Sequence, residues 1–455
     1  MPPNRLNIYR RRSKNLIEQF HRDLDSNPDG IEPAPPSKNL INIIQKAGDA
    51  SRPVQQLSAV QDIRQLLSSK SPPIKDLIQG GILPILVECL KKTSPKSQQF
   101  EAAWALTNIA SGNSEQTTQV VAAGAVPLFL ELLKSPDLDL CEQAIWALAN
   151  IIGDGPLLRD FVIRLGVVPP LLSLIQPDMP GQFLANVTMA IGNLCRHHDP
   201  PISAETIGQI LPTLDVLIHH EDTEILVSTL WAISFLAGGG QDQIQMVIES
   251  GVLGKLISLM GHKDIEVGRA AMRAVGNILT GTDEQCQKVL NHHPLSYFPS
   301  VVLFSNTDEV HFLWRATARN EHWVQAFING GMLHKIIGIL KKGGMHEKAV
   351  AARAISNLTV GCNEEQLLIF IRKDVLQPFC DLLIGQFEQI TLAVLNGLNN
   401  MLNVSNSHEE EVAQAIDECG GLAKIEDLQT HENVYIYKQA QEIIERYYGY
   451  ENSAA

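Results

Sequence analysis

The chain repeats itself, and the length of the repeat constrains its fold more than any other feature. The segments FEAAWALTNIASG (100–112), CEQAIWALANIIGDG (141–155), FLANVTMAIGNLCR (183–196), ILVSTLWAISFLAGGG (225–240), GRAAMRAVGNILTG (268–281) and AVAARAISNLTVG (349–361) superimpose without gaps. Their equivalent positions Asn108, Asn150, Asn193, Phe235 and Asn277 advance by 42, 43, 42 and 42 residues. The register loosens through Ala318 to Asn357, and Asn400, in the weaker match TLAVLNGLNNML, lies 43 further on. A second marker keeps the same pace: a small residue and Gly before an apolar run. It appears as GGILP (80–84), AGAVP (123–127), LGVVP (165–169), SGVLG (250–254), GGMLH ending at His334, and GGLAK (420–424). Gly suits a tight junction between helices, and Pro is tolerated in the first turn of the helix that follows. Each unit therefore reads as a short helix, a Gly turn, an apolar helix, a polar turn and a longer helix. Strand alternation is absent.

A period near 42 with two or three helices per unit is the signature of HEAT and armadillo solenoids, and the Gly-marked short first helix favours armadillo. The expected fold is all-α, an armadillo-repeat solenoid of about ten repeats running from SAVQDIRQLL (58–67) to YKQAQEIIERYY (437–448). Stacked repeats bury one continuous core, which accounts for 45% hydrophobic residues with only 5% aromatic. The boundaries expected are a basic arm over 1–25, a linker over 26–38 with four prolines, the solenoid over 39–450 and a tail over 451–455.

Charge narrows the partners. With 36 Lys+Arg against 50 Asp+Glu the net charge is −14, so the general surface cannot neutralise a phosphate backbone and nucleic acid is excluded as a main ligand. Residues 1–22 run the other way. Arg5, Arg10, Arg11, Arg12, Lys14 and Arg22 face Glu18 alone, a balance of +5 that leaves −19 for the rest. A basic arm precedes an acidic body, as an interaction tail would. The seven cysteines are odd in number, lack a CxxC pair and sit mostly in apolar segments, so they read as reduced core residues. No apolar run reaches the roughly 20 residues that span a bilayer. The expectation is a soluble intracellular protein without membrane insertion.

Catalysis has no support in the motifs: there is no GxSxG, P-loop, HExxH or Gly-rich dinucleotide turn. The paired histidines 197–198, 219–220 and 292–293 read as solvated turn residues, without a carboxylate or Cys at metal spacing. No metal, cofactor or catalytic residue is assigned.

The informative positions are tryptophans and asparagines. Trp104 and Asn108, then Trp146 and Asn150, stand four apart on the last helix of a repeat, hence one turn apart on one face. Repetition turns them into parallel ladders along the inner surface. Asn is a mediocre helix former that core packing never requires, yet it recurs in register at 108, 150, 193, 277 and 357. Its amide offers an acceptor and two donors and can grip the N–H and C=O of an extended peptide without reading its side chains. Indoles beside it make slots for the four-carbon stem of a Lys, with about 0.5–2 kcal/mol of cation–π attraction per slot.

At this point the sequence resembles the importin alpha family of nuclear-import adaptors. The segments WALTNIASGNSEQT and WALANIIGDG, the close ECGGLAKIEDLQTHEN and the basic arm carry the resemblance, which runs from about residue 40 to 450. It implies a right-handed superhelical groove that binds lysine- and arginine-rich nuclear localisation signals of cargo proteins as extended chains. It implies an arm (Arg5, Arg10, Arg11, Arg12, Lys14, Arg22) that binds importin beta and can fold back onto the groove. An export receptor with Ran-GTP, nucleoporins and shuttling between cytoplasm and nucleus belong to the same implication. Matched residue by residue, the main site comprises Trp104, Asn108, Trp146, Asn150, Asn193 and Trp231. Asp154 takes the position that pairs with the key signal lysine, and the Gly112 carbonyl and Thr117 hydroxyl complete its ammonium's three hydrogen bonds. The minor site comprises Arg273, Asn277, Asp283, Trp314 and Asn357.

The chain departs from the family at named places. Met189 stands at a Trp position and Ser228 at an acidic one; Arg353 and Val350 do the same in the minor site, and Ala318 replaces an Asn near Trp314. A cation at 353 repels a cationic ligand, so signals with a single basic cluster are expected to prefer the main site. In the arm the second basic cluster is reduced to His21 and Arg22. The competing reading is an armadillo scaffold of the catenin type, which binds acidic peptides in a basic groove; the net charge and Asp154 oppose it.

Overall fold

The computed structural model describes residues 38–449 except 198, 298–306, 319 and 385–386, with the backbone alone over 307–311. The basic arm, nearly all of the linker and the tail lie outside these residues. The described chain is helical without a strand. Its frame is a row of ten long helices, the last of each repeat. They are α1 (Pro53–Leu67), α2 (Lys96–Ala110), α3 (Leu138–Gly153), α4 (Gly181–Cys195), α5 (Thr223–Ala237), α6 (Ile265–Ile278), α7 (Thr307–Thr317), α8 (Met345–Gly361), α9 (Glu388–Val404) and α10 (Val434–Ile443). Each packs on the next, and the shorter helices between them pack against this row. One apolar core runs unbroken from Leu40 to Ile443. Such a solenoid is held by contacts between neighbouring repeats, so stability is nearly a sum of local interfaces.

Small residues set the spacing of the row. The residue after each indole position is buried and small: Ala105, Ala147, Ala190, Ala232, Ala274, Ala354 and Gly397. At Gly397 even a methyl group would run into the Phe379 ring at 2.7 Å. The exception is Arg315 of α7, which sits at the same register position beside Trp314.

The Gly junctions take the left-handed backbone that only glycine adopts without strain. Gly81, Gly124, Gly166, Gly251, Gly331 and Gly420 have φ between 71° and 91°. In two repeats the same place is filled by His293 (φ 51°) and Asp374 (φ 57°), residue types that tolerate this region better than most. Their chemistry hid two junctions from the glycine marker. In the repeat that ends at α5 the first two helices merge into Ala204–Leu217, with Pro212 inside.

Six of the seven thiols are buried and Cys419 is partly exposed. Burial pushes Cys141 and Cys195 up to about 12 and Cys362 up to about 11. A hydrogen bond from the Cys380 thiol, helped by the Lys424 ammonium, brings Cys419 down to about 7. The thiolate is the nucleophile, so iodoacetamide at pH 7.5 is expected to modify Cys419 at least tenfold faster than any other cysteine of the native chain. Peptide mapping after short exposure reads this out; equal labelling of Cys89 would contradict it.

Candidate peptide-binding groove

The asparagine ladder is real and more constrained than its spacing indicates. Each amide donates one N–H to the C-terminal end of the preceding long helix. Asn108 Nδ2 reaches Ser68 Oγ at 3.0 Å, Asn150 the Thr107 carbonyl at 3.2 Å and Asn193 the Ala149 carbonyl at 2.9 Å. Asn277 reaches the Ser234 carbonyl at 2.9 Å, Asn357 the Thr317 hydroxyl at 3.4 Å and Asn400 the Thr359 hydroxyl at 3.3 Å. These bonds tie repeat to repeat and fix the orientation of each amide. A primary amide has two N–H donors and a carbonyl acceptor, so one such bond leaves capacity for a peptide. Gly153 gives Asn193 its room, since a methyl group there would come within 3.2 Å of Nδ2. Asn108 is only 5% exposed, whereas Asn150 and Asn193 are half-buried at the surface.

The indoles line the same wall. Trp104, Trp146 and Trp231 are half-buried. Trp104 meets Phe100 edge to face at 5.8 Å, and Trp231 packs on Phe235, which occupies the ladder's Asn position in α5. One cation already sits on this wall. The Arg64 guanidinium lies 4.7 Å from the Trp104 ring centroid and is held by Glu101 at 2.8 Å. Arg64 lies one repeat back, 40 residues before Trp104, and only stacking of the repeats brings them together. It shows the indole face working as a cation platform within the chain itself.

Asp154 and the turn after α2 that holds Gly112 meet at one corner, joined through Ser114. Asp154 closes α3 and accepts a hydrogen bond from Ser114 Oγ at 2.7 Å. Ser114 starts the helix Ser114–Ala122, directly after Gly112 and the N-cap Asn113. Gly112 is exposed, and a side chain there would collide with the Gln116 amide of the capping box. Thr117 is 1% exposed, and its single hydroxyl proton is shared between the carbonyls of Ala110 and Asn113, both at 3.1 Å. The half-buried Asp154 carboxylate gives the corner its preference for a cation. Ser114 was not singled out from the sequence; it lies 40 residues before Asp154, off the repeat register, and only the stacking of the repeats joins the two.

The histidine next to this corner corrects an expectation. His197, four residues past Asn193, is half-buried and not a solvated turn residue: its Nε2 lies 3.3 Å from the Gly153 carbonyl. Burial holds its pKa below the usual value. His220 does stay at a turn, where its Nδ1 accepts the Asp222 N–H at 3.0 Å. His198 lies outside the described residues.

The residues matched to the minor site are more dispersed. Asn277 and Asn357 keep the ladder, Arg273 is half-buried on α6, and Asp283 is exposed in the first turn of the following helix, Asp283–Leu290. Trp314 is 55% exposed with the Arg315 guanidinium 5.6 Å from its ring centroid. Arg353 is exposed and donates to Gln389 Oε1 at 2.6 Å.

Comparison with known proteins agrees with this architecture. An armadillo/beta-catenin-like repeat model matches residues 58–111, 113–153 and 240–280, and an atypical Arm repeat model matches 410–455. The importin subunit alpha-3 of Caenorhabditis elegans is 48% identical over 93% of this chain and 83% of its own length. The importin subunit alpha-1a of Oryza sativa subsp. japonica is 40% identical over 86% of this chain and 77% of its own. The crystal structure of an engineered protein superimposes with a TM-score of 0.78 over 90% of this chain and 98% of its own, at 24% identity, a likeness of fold alone. Identity at this level across most of both chains, on top of the shared repeat architecture, leaves one conclusion: the chain belongs to the importin alpha family, non-enzymatic adaptors of nuclear import.

Proposed function

We propose that the wall from Trp104 to Trp231 binds lysine-rich nuclear localisation signals as extended chains and presents them for import. The observation that carries this reading is the oriented amide ladder ending at the Asp154 corner. Backbone groups of a peptide would pair with Asn150 and Asn193, whose amides each retain an N–H and a carbonyl oxygen. Lysine stems would lie between the indoles, and one ammonium would take Asp154, the Gly112 carbonyl and the Thr117 hydroxyl. Met189 keeps the slot apolar without an indole's negative face. The arm residues Arg5, Arg10, Arg11, Arg12, Lys14 and Arg22 lie outside the described residues. In this reading they bind importin beta and, unbound, compete for the groove, attracted by a body of charge −19. Recycling by an export receptor with Ran-GTP, contacts with nucleoporins and shuttling between cytoplasm and nucleus complete the proposal.

Titration of a labelled lysine-rich peptide against the full chain and against a chain lacking residues 1–25 tests it. Both are expected to bind, the shortened chain more tightly, with the difference shrinking as salt screens the arm. Absence of binding to either protein would overturn the reading. Equal affinities would remove self-competition while leaving the groove in place.

A further inference from the structure

Two cysteines that stand 39 residues apart in the sequence meet at the interface between the last two repeats. Cys380 ends the helix Leu376–Cys380 in the repeat of α9, and Cys419 follows the helix Glu409–Glu418 in the repeat of α10. The turn after Cys419 permits a close approach. Gly420 takes the left-handed backbone at φ 71°, and a methyl group on Gly421 would come within 2.9 Å of Cys380 Sγ. Two side chains hold the backbones of both cysteines across this interface. Gln377 Nε2 donates to the Cys419 carbonyl at 3.2 Å, and Lys424 Nζ donates to the Cys380 carbonyl at 3.2 Å.

The two thiols differ as the halves of a redox pair do. Cys380 is 0% exposed, whereas Cys419 is partly exposed. They share a hydrogen bond that leaves the proton on Cys380 and thiolate character on Cys419, and burial adds to the bias at Cys380. The Lys424 ammonium, held by Asp381 at 2.9 Å, favours the Cys419 thiolate further. An accessible thiolate beside a second thiol is the arrangement in which a sulfenic acid, once formed, is captured as a disulfide. The other five cysteines are buried.

We propose that Cys419 and Cys380 are a peroxide-responsive pair whose disulfide ties the repeat of α10 to the repeat of α9. The Cys419 thiolate attacks one oxygen of a hydroperoxide: an S–O bond forms, the O–O bond breaks, and the leaving oxygen takes up a proton. The Cys380 sulfur then attacks the sulfenic sulfur of Cys419. The S–S bond forms, the S–O bond breaks, and the hydroxide leaves as water with the Cys380 proton. With hydrogen peroxide the two thiols lose two electrons and two protons in all, and two waters result. A dithiol reverses the link by exchange. A terminal repeat is held by one neighbour only, so a covalent tie acts where fraying begins. The pair lies outside the peptide-binding wall, so either proposal can fail while the other stands.

The test treats the full chain with a small molar excess of hydrogen peroxide, blocks the remaining thiols and maps the peptides without reduction. Trypsin leaves both cysteines in the peptide that ends at Lys424, and cleavage at Met401 then separates them unless the disulfide has formed. The 380–419 link is expected to exceed any other cysteine pair by about tenfold or more. Hydrogen exchange over 421–443 is expected to slow severalfold on oxidation and to recover with dithiothreitol. Cys419→Ser is expected to abolish the link, and Cys380→Ser to leave a dimedone-reactive sulfenic acid at Cys419, with circular dichroism checking that both variants fold. The native chain itself decides the matter. Thiols that stay unoxidised, sulfenic acid at Cys419 without the link, other pairs linked equally, or a linked chain with unchanged exchange would each overturn the proposal.

Discussion

Replacing Asp154 with alanine is expected to weaken binding of a lysine-rich signal by about 10- to 150-fold. A hydrogen bond to a charged group contributes roughly 1.5–3 kcal/mol, and each 1.4 kcal/mol is a factor of ten in affinity. The geometry places the effect at this residue. Asp154 is half-buried at the end of α3, so its pairing with an ammonium is less screened than a pair in open solvent. Ser114 Oγ fixes one carboxylate oxygen at 2.7 Å, which orients the group before a ligand arrives. Asp154→Asn keeps the shape and an acceptor but not the charge, and is expected to fall between the native chain and Asp154→Ala. Ser114→Ala is expected to cost less than either. Isothermal titration with one peptide across the four proteins measures the series. Full affinity in Asp154→Ala would remove the residue from the site.

Replacing Arg159 with leucine is expected to cost about 1–3 kcal/mol of folding stability, the range for leaving polar groups without their hydrogen-bond partners. Arg159 lies on the helix Pro156–Arg164 and is 0% exposed. Its Nη1 donates to the His197 carbonyl and its Nη2 to the Pro200 carbonyl, both at 2.7 Å, while Nε meets Asp160 at 2.8 Å. One guanidinium thus joins a helix to the loop that follows α4, one repeat later. Leucine would leave two carbonyls without their donors and Asp160 without its cation. Because neighbouring interfaces carry the stability of a solenoid, the loss should appear first as faster hydrogen exchange around α3, α4 and the loop between residues 196 and 203. A lower urea midpoint is the simplest measurement. An unchanged midpoint and exchange pattern would show that the network is not holding the interface.

How much of this was legible beforehand depends on the distance over which each feature acts. Trp104 with Asn108, and Trp146 with Asn150, were legible because four residues are one helical turn and the 42-residue period copies them into ladders. Asp154 was legible through the same register. Arg64 on Trp104 and Ser114 on Asp154 were not, since each pair is joined by repeat stacking across 40 residues. His293 and Asp374 were missed as junctions because they are not glycine, although their backbone takes the same left-handed turn. His197 was misread as solvated because its burial comes from Gly153 on the neighbouring helix.

Local periodicity, set by 3.6 residues per turn and repeated every 42 residues, therefore determined from the sequence alone that this is an all-helical solenoid with amide and indole ladders on its inner wall. Only the stacked structure decided how those ladders are held. One N–H of each ladder Asn belongs to the preceding repeat, a cation already lies on the first indole, and Arg159 clamps two repeats from within. The division follows from chain geometry: side chains within a turn share a face whatever the tertiary fold, whereas contacts between repeats exist only once the superhelix sets the distance between them.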